Sequence, residues 1–288
     1  MFKFGFSDEE EKCSSSESEE SSQSSTLNWM ESKQLFPTQS QWDEVKNLPR
    51  YRFDIKECTI DFVSVKDSVN VFGKENAEFF KQAEQLHSDL LPAKYEGGLK
   101  IWECTYTLIE HLTKEKVKFD GKKVLDLGCG AGLLGIFALL DGANVTFQDY
   151  NAEVIEWVTF PNILANLPGK SMEDLEKRCR FFMGDWASFL DLNLKDIDAE
   201  DKKYDFILSS ETIYNADNHW KLIHVLKGLL KKSGVAYIAA KTFYFGVGGG
   251  LRQFEKLLAE EGNMDMNVCW KCSDGVQREI LKVQFKNE

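Results

Sequence analysis

Between Lys122 and Tyr150 the chain reads KKVLDLGCGAGLLGIFALLDGANVTFQDY: an apolar run, three glycines in five residues, and a second apolar run that ends on an acid. Few folds accept that order. Lys123 to Leu127 has the content of a buried strand, Leu133 to Leu140 that of a helix, and Asn144 to Gln148 that of a second strand. The glycines allow positive φ where strand becomes helix, and they bring the backbone within reach of a ligand. A strand–helix–strand unit of this length is a parallel crossover.

The alternation continues downstream. Ala152 to about Ala165 reads as a helix, and Arg180 to Met183 and Tyr204 to Ser209 read as strands. His219 to Leu230 has helical spacing with Leu222, Ile223, Leu226, Leu229 and Leu230 inward; Val235 to Ala240 reads as a strand and Leu251 to Glu260 as a helix. Met266 to Trp270 and Glu279 to Phe285 pair as a closing antiparallel hairpin. The expected fold class is α/β, a Rossmann-like parallel sheet with helices on both faces and a terminal antiparallel hairpin. Upstream, Arg52 to Val65 alternates like a strand pair, and Glu75 to Leu90 reads as a helix ending before Pro92. Tyr95 to Gly98 reads as a turn, and Leu99 to about Lys116 as a helix.

At 43% hydrophobic, 288 residues hold one sizeable core. Met1 to about Ser40 is acidic and serine-rich with little to bury, so residues 1–45 are expected to be a disordered tail whose serines beside acids suit phosphorylation. Phe2, Phe4 and Phe6 alternate within it like a short edge strand. A net charge of −12 argues against a sequence-independent grip on nucleic acid. Seven scattered cysteines point to a reducing compartment. No apolar run reaches the roughly 18 residues of a membrane span, and MFKFGFSDEEE lacks the stretch of a secretory signal. The expectation is a soluble intracellular monomer without a membrane partner.

Gly130 to Gly135 fits G-x-G-x-x-G, a pattern that holds a pyrophosphate at a helix N-terminus in dinucleotide enzymes. Two acids shift the reading. Asp126 ends the first strand beside the loop, useful to an amine-bearing ligand and unhelpful to a pyrophosphate. Asp149 ends the next strand, where a carboxylate accepts both hydroxyls of a ribose. A ligand with a ribose, an ammonium group and no phosphate fits both, and S-adenosylmethionine is such a ligand. A bare tight turn and a nicotinamide site are the alternatives.

The segment VLDLGCGAGLLG resembles the first motif of the seven-stranded S-adenosylmethionine-dependent methyltransferases. GGLKIWECT (Gly97 to Thr105), FQDYN (Phe147 to Asn151), GDW (Gly184 to Trp186), SSETIYN (Ser209 to Asn215) and YFGVGGG (Tyr244 to Gly250) follow in the order seen in eukaryotic protein-histidine methyltransferases. The resemblance covers roughly Leu91 to Glu288, and implies a seven-stranded methyltransferase domain over 99–288, preceded by a strand and helix extension over 46–98. It implies S-adenosyl-L-methionine as cofactor and, as client, a basic protein, the third universal large-subunit ribosomal protein, in cytoplasm and nucleus, nucleolus included. It implies cofactor contacts from Ile101, Trp102, Glu103, Cys104 and Thr105, from Gly128 and Gly130, from Gln148, Asp149 and Tyr150, from Gly184, Asp185 and Trp186, and from Ser209. Glu211 and Tyr214 resemble the acid-x-x-aromatic motif that faces substrate in related lysine methyltransferases, and are the expected catalytic pair.

Phe245 to Gly250 is read as a substrate-facing loop. Cys269 and Cys272 have C-x-x-C spacing but no second pair, and the four histidines have no ligand spacing, so no metal site is expected. The competing functions are a lysine methyltransferase of the neighbouring subgroup and an inactive binding factor for a ribosomal protein.

Overall fold

A computed structural model describes residues 29–55, 58–72, 90–91, 93–167, 171–195, 203–272 and 275–286. The expected acidic tail with Phe2, Phe4 and Phe6, and the expected helix from Glu75 to Leu90 apart from its last residue, lie outside the described residues.

Strand β4 (Lys123–Leu127) is buried from Val124 onward on both faces, as a strand inside a parallel sheet must be. The glycine loop turns it into α4 (Leu133–Leu140), which is almost wholly buried and apolar on every side. Then β5 (Asn144–Asp149) runs parallel to β4, Val124 beside Val145 and Leu127 beside Gln148. Helix α5 has two α-helical parts, Ala152–Val154 and Phe160–Asn166, joined by a π-helical stretch at Ile155–Thr159 just before Pro161. Strand β6 (Cys179–Met183) pairs parallel with β5, and β7 (Tyr204–Ser210) with β4. Strand β8 (Leu230–Lys241) runs parallel to β7. The expected hairpin forms as β9 (Met264–Cys272) and β10 (Arg278–Phe285), with β10 antiparallel to both β8 and β9.

One strand is additional. Lys33–Leu35, β1, pairs antiparallel with the outer edge of β6, giving eight strands in the order β1-β6-β5-β4-β7-β8-β10-β9. Helix α1 (Gln39–Val45) follows, capped by Thr38 in a capping box with Gln41. Disorder was expected up to residue 45; residues 29–45 instead carry structure. Averaging over the acidic tail hid their anchors, since Leu35, Trp42 and Val45 pack on the main core.

Helices cover both faces of the sheet. On one, α3 (Glu103–Lys114), α4 and α5 enclose a core around Leu108, Ile136, Phe147 and Phe160. On the other, α7 (Trp186–Leu194), α8 (His219–Leu229) and α9 (Leu251–Glu260) enclose Phe189, Leu222, Leu226 and Phe254. Two short helices, α2 (Val65–Phe72) and α6 (Met172–Arg178), complete the set, and neither α6 nor α7 was marked by the sequence pattern. The hairpin β2 (Arg50–Ile55) and β3 (Cys58–Val63) stands apart from the large sheet. Its β3 edge is closed by two asparagines one helical turn apart on α5. Asn162 Oδ1 accepts the Val63 N–H at 2.7 Å, and Asn166 Oδ1 accepts the Asp61 N–H at 2.8 Å.

Candidate active site

Parallel strands β4, β5, β6 and β7 end side by side, and the order reverses at β4, where open α/β sheets leave a crevice. A cavity lies there with about 770 Å³ of space not filled by atoms, part of it open to solvent. Its floor is the glycine loop. Gly130 has φ +50°, and a side chain there would come within 3.1 Å of the Gly98 carbonyl oxygen. The Gly130 N–H donates to Asp149 Oδ2 at 2.8 Å, so the loop and the acid are one hydrogen-bonded unit.

Asp149 lines the cavity and is 5% exposed. Burial pushes its carboxyl up to about 6, against the N–H groups of Gly130 and Asn151 that favour the charged form. Two backbone donors leave the carboxylate with acceptor capacity for further hydroxyls. Asp126 departs from expectation. It does not line the cavity; it is 1% exposed under the loop, and its Oδ2 accepts the Gly135 N–H in the first turn of α4 at 2.8 Å. Burial drives it up to about 8. A strand alternates its side chains, and position 126 faces the helix layer rather than the ligand.

The remaining expected residues divide. Ile101, Trp102 and Thr105, then Gly128, Gly130, Asp149 and Tyr150, then Gly184, Asp185, Trp186, Glu211 and Tyr214 all border the cavity. Four do not. Gln148 is fully buried and works from behind: its Oε1 accepts Trp186 Nε1–H at 2.9 Å and the Gly128 N–H at 3.4 Å, and its Nε2 donates to the Gly184 carbonyl at 2.8 Å. It ties three cavity segments together. Ser209 is buried, donating to the Leu127 carbonyl at 2.8 Å; its neighbour Ser210 borders the cavity instead, 2.7 Å from Thr105 Oγ1. Glu103 points to the surface beside Arg278, at 3.4 Å. Cys104 is buried below the cavity, its thiol pushed well up by burial and then by neighbouring Glu211. In each case one residue of register decides, and a motif alone does not carry register.

Glu211 is the most unusual group in the site. It follows β7 with φ +58°, a left-handed backbone rare for a residue with a side chain. It is 5% exposed, and its carboxylate lies beside the Cys104 thiol and the Tyr244 hydroxyl, which burial and then this charge push well up. Lys241 Nζ, at the end of β8, stands 3.7 Å away. Tyr214 is engaged otherwise: its hydroxyl donates to Glu96 Oε2. Burial raises both of these groups, Glu96 against the hydrogen bonds it accepts and Tyr214 further because of Glu96. Glu96, Trp29 and Lys100 border the cavity without having been assigned a role. Only the Gly97-Gly98 pair beside Glu96 offered a signal, since glycines mark close backbone approach.

A glycine loop hydrogen-bonded to an acid at the next strand's end, in a sheet of this order, is the arrangement expected of the S-adenosylmethionine-dependent methyltransferase fold. The family model described as lysine methyltransferase matches residues 91–244, more than half of the chain, and the chain belongs to that family. It is 46% identical over 219 residues to a histidine protein methyltransferase 1 homolog of Mus musculus, covering 70% of this chain and 60% of that one. It is 30% identical over 144 residues to a protein N-lysine methyltransferase of Danio rerio, covering 50% of this chain and 61% of that one. The chain spans about three fifths of the length of these relatives. A Streptococcus mutans protein provisionally described as a SAM-dependent methyltransferase shares the fold, with TM-score 0.53 and 13% identity over 82% of this chain and 56% of that one.

The residues present fit the cofactor. Asp149 at the end of β5 suits ribose hydroxyls, the glycines at 128 and 130 leave room for a ligand to approach the backbone, and Asp185 and Trp186 offer an acid and an indole at the same cavity. Asp185 is already engaged: Oδ1 caps α7 through the Ala187 N–H at 2.9 Å, and Oδ2 accepts from Lys221 Nζ at 2.6 Å.

Proposed function

We propose that this chain is a protein-histidine N-methyltransferase whose client is the third universal large-subunit ribosomal protein. The observation that carries the chemistry is Glu211, a buried acid paired with Lys241 at 3.7 Å, on a left-handed backbone at the cavity wall.

A histidine side chain, with a reference pKa of about 6.5, is mostly neutral at pH 7 and needs no base to free a lone pair. It needs the correct tautomer, the attacking nitrogen bare and the other carrying hydrogen. Glu211 is placed to accept that N–H. It would also stabilise the positive charge that grows on the ring, and receive the proton the methylated ring releases. S-adenosylmethionine supplies an electrophilic methyl carbon on positive sulfur; the chain supplies alignment and a water-poor cavity.

A lysine acceptor fits less well. A lysine, with a reference pKa of about 10.4, must first lose a proton, and Glu211 is already paired with the Lys241 ammonium at 3.7 Å. The histidine-directed relative also shares more of this sequence than the lysine-directed one, 46% against 30%. The client itself meets the exposed pair Phe243 and Phe245, whose rings pack edge to face at 4.9 Å. Their loop is fixed to the site by the Gly249 N–H, which donates to the Tyr214 carbonyl at 2.9 Å.

The test is incubation with labelled S-adenosylmethionine and an extract lacking this enzyme, with the labelled residue mapped by mass spectrometry. Methylhistidine in the ribosomal protein supports the reading; methyllysine, or no transfer to any protein, overturns it. Glu211→Gln should lower kcat about 100-fold with cofactor affinity unchanged. Phe245→Ala should raise KM for the protein and leave kcat unchanged.

A further inference from the structure

Residues 29–35 precede the segment that matches the family model, yet the first of them, Trp29, lines the cavity. They run along the sheet edge as a strap with five attachments. Lys33–Leu35 pairs with β6; the Met30 N–H donates to the Tyr150 hydroxyl at 3.1 Å. The Asp185 N–H donates to the Met30 carbonyl at 2.8 Å, and the Ser32 N–H to Ser188 Oγ at 2.9 Å. The fifth is Gly184, with φ +109°: a side chain there would fall 2.5 Å from Ser32 Cα, so only glycine lets the strap pass this close.

The strap's product is the position of Trp29. Its indole lines the cavity beside Tyr150, edge to face at 5.8 Å between centroids. Lys221, buried on α8, holds it from behind, with Nζ 3.7 Å from the ring centroid. The same ammonium is paired with Asp185 at 2.6 Å, in a contact whose side chains are 6% and 9% exposed. Lys221 thereby joins the strap to the acid at the end of β6. A buried ammonium shared between an indole face and a carboxylate is a fixed arrangement, because moving either partner leaves a desolvated charge.

We propose that Trp29 is a cofactor-binding residue, held by the strap against the Tyr150–Asp185 end of the cavity and latched by Lys221. The ligand class is the purine end of S-adenosylmethionine and its demethylated product. The inference rests on the cofactor assignment and is independent of which residue the enzyme methylates. An indole there excludes water from one side of the base and adds apolar contact to that of Tyr150 and Trp186. Because the strap closes the wall, ligand binding and strap order are coupled: a bound purine holds Trp29 in place, and release follows loosening of the Met30 and Ser32 hydrogen bonds.

The experiment measures S-adenosylhomocysteine binding to the full chain by calorimetry, alongside thermal unfolding without ligand. Aromatic side chains that stack on bases contribute strongly to binding, so Trp29→Ala should weaken binding about 5- to 150-fold, and Trp29→Phe should restore most of it. Hydrogen exchange on the unsubstituted protein gives a second reading that needs no variant. S-adenosylhomocysteine should slow exchange of the Met30 and Ser32 amides several-fold. A folded Trp29→Ala protein with unchanged affinity overturns the proposal, as does exchange at Met30 and Ser32 that ignores the ligand. If S-adenosylhomocysteine fails to bind the unsubstituted protein, the cofactor assignment itself falls, an outcome distinct from these.

Discussion

Asp126 and Asp149 end neighbouring strands and are both buried, yet they do different work. Asp126 holds the first turn of α4 from below, through Gly135. Asp149 holds the loop through Gly130 and faces the cavity. Burial keeps Asp149 at about 6 and Asp126 at about 8, against about 3.9 for an unfolded aspartate. Both values are raised, so each group binds its proton more tightly in the folded state. Their contribution to stability is therefore complete below about pH 4 and is lost as pH climbs through these two values. Asp126→Asn keeps an acceptor for the Gly135 N–H and cannot ionise. Without ligand, its stability relative to the unsubstituted protein should match it near pH 4 and exceed it by about 1 kcal/mol or more at pH 8.5. Denaturant titrations at several pH values measure this, and a gap that shrinks as pH rises refutes it. The sequence placed both acids beside the loop. It could not tell which faced the ligand, because that depends on the pleat of strands whose register is set by partners far along the chain.

At the scale of elements, the crossover units were legible and the attachments were not. Strands β4, β5, β7 and β8 each carry apolar or β-branched residues at their centres and sit at regular spacing between helical segments, so their pattern named them. Helix α7 was missed because its sequence, WASFLDLNL, follows a motif residue, and its N-cap is Asp185, read first as a ligand contact and second as a helix or turn cap. Strand β1 was missed because three residues, KQL, carry no pattern; they form a strand because β6 offers an unpaired edge. Asn162 shows the same limit. It is a fully buried polar residue in an apolar helix, which composition reads as a flaw. In the structure its Oδ1 takes the Val63 N–H at 2.7 Å and its Nδ2 donates to the Ala131 carbonyl at 2.9 Å, joining the outlying hairpin to the glycine loop. Asn162→Ala leaves both backbone groups buried without partners. It should cost about 2 kcal/mol or more in chemical denaturation and lower cofactor affinity as well, since Ala131 borders the cavity. Loss of stability with affinity intact would show that the hairpin does not support the loop.

For the molecule as a whole, charge is the property that bears most on the client. The net charge is −12, and residues 1–28 carry seven acids and two lysines, so they account for about five of those charges. A basic client of the kind proposed would be drawn by the whole field before it meets the cavity, and fields of this kind change encounter rates more than bound-state contacts. The screening length is about 10 Å at 0.1 M salt and about 3 Å at 1 M, so attraction at a distance fades within an accessible range of ionic strength. The cofactor site should respond differently, because Asp149 and Asp185 are buried and their contacts are short. With protein client, kcat/KM should therefore fall several-fold between about 0.05 and 0.3 M salt while kcat and the affinity for S-adenosylhomocysteine stay nearly constant. Removing residues 1–28 leaves Trp29 and its strap in place and should flatten that salt dependence by close to half, without altering kcat. Equal salt slopes for the full and shortened chains would assign the attraction to the folded part alone, and a kcat/KM indifferent to salt would mean that a basic client is not captured by charge.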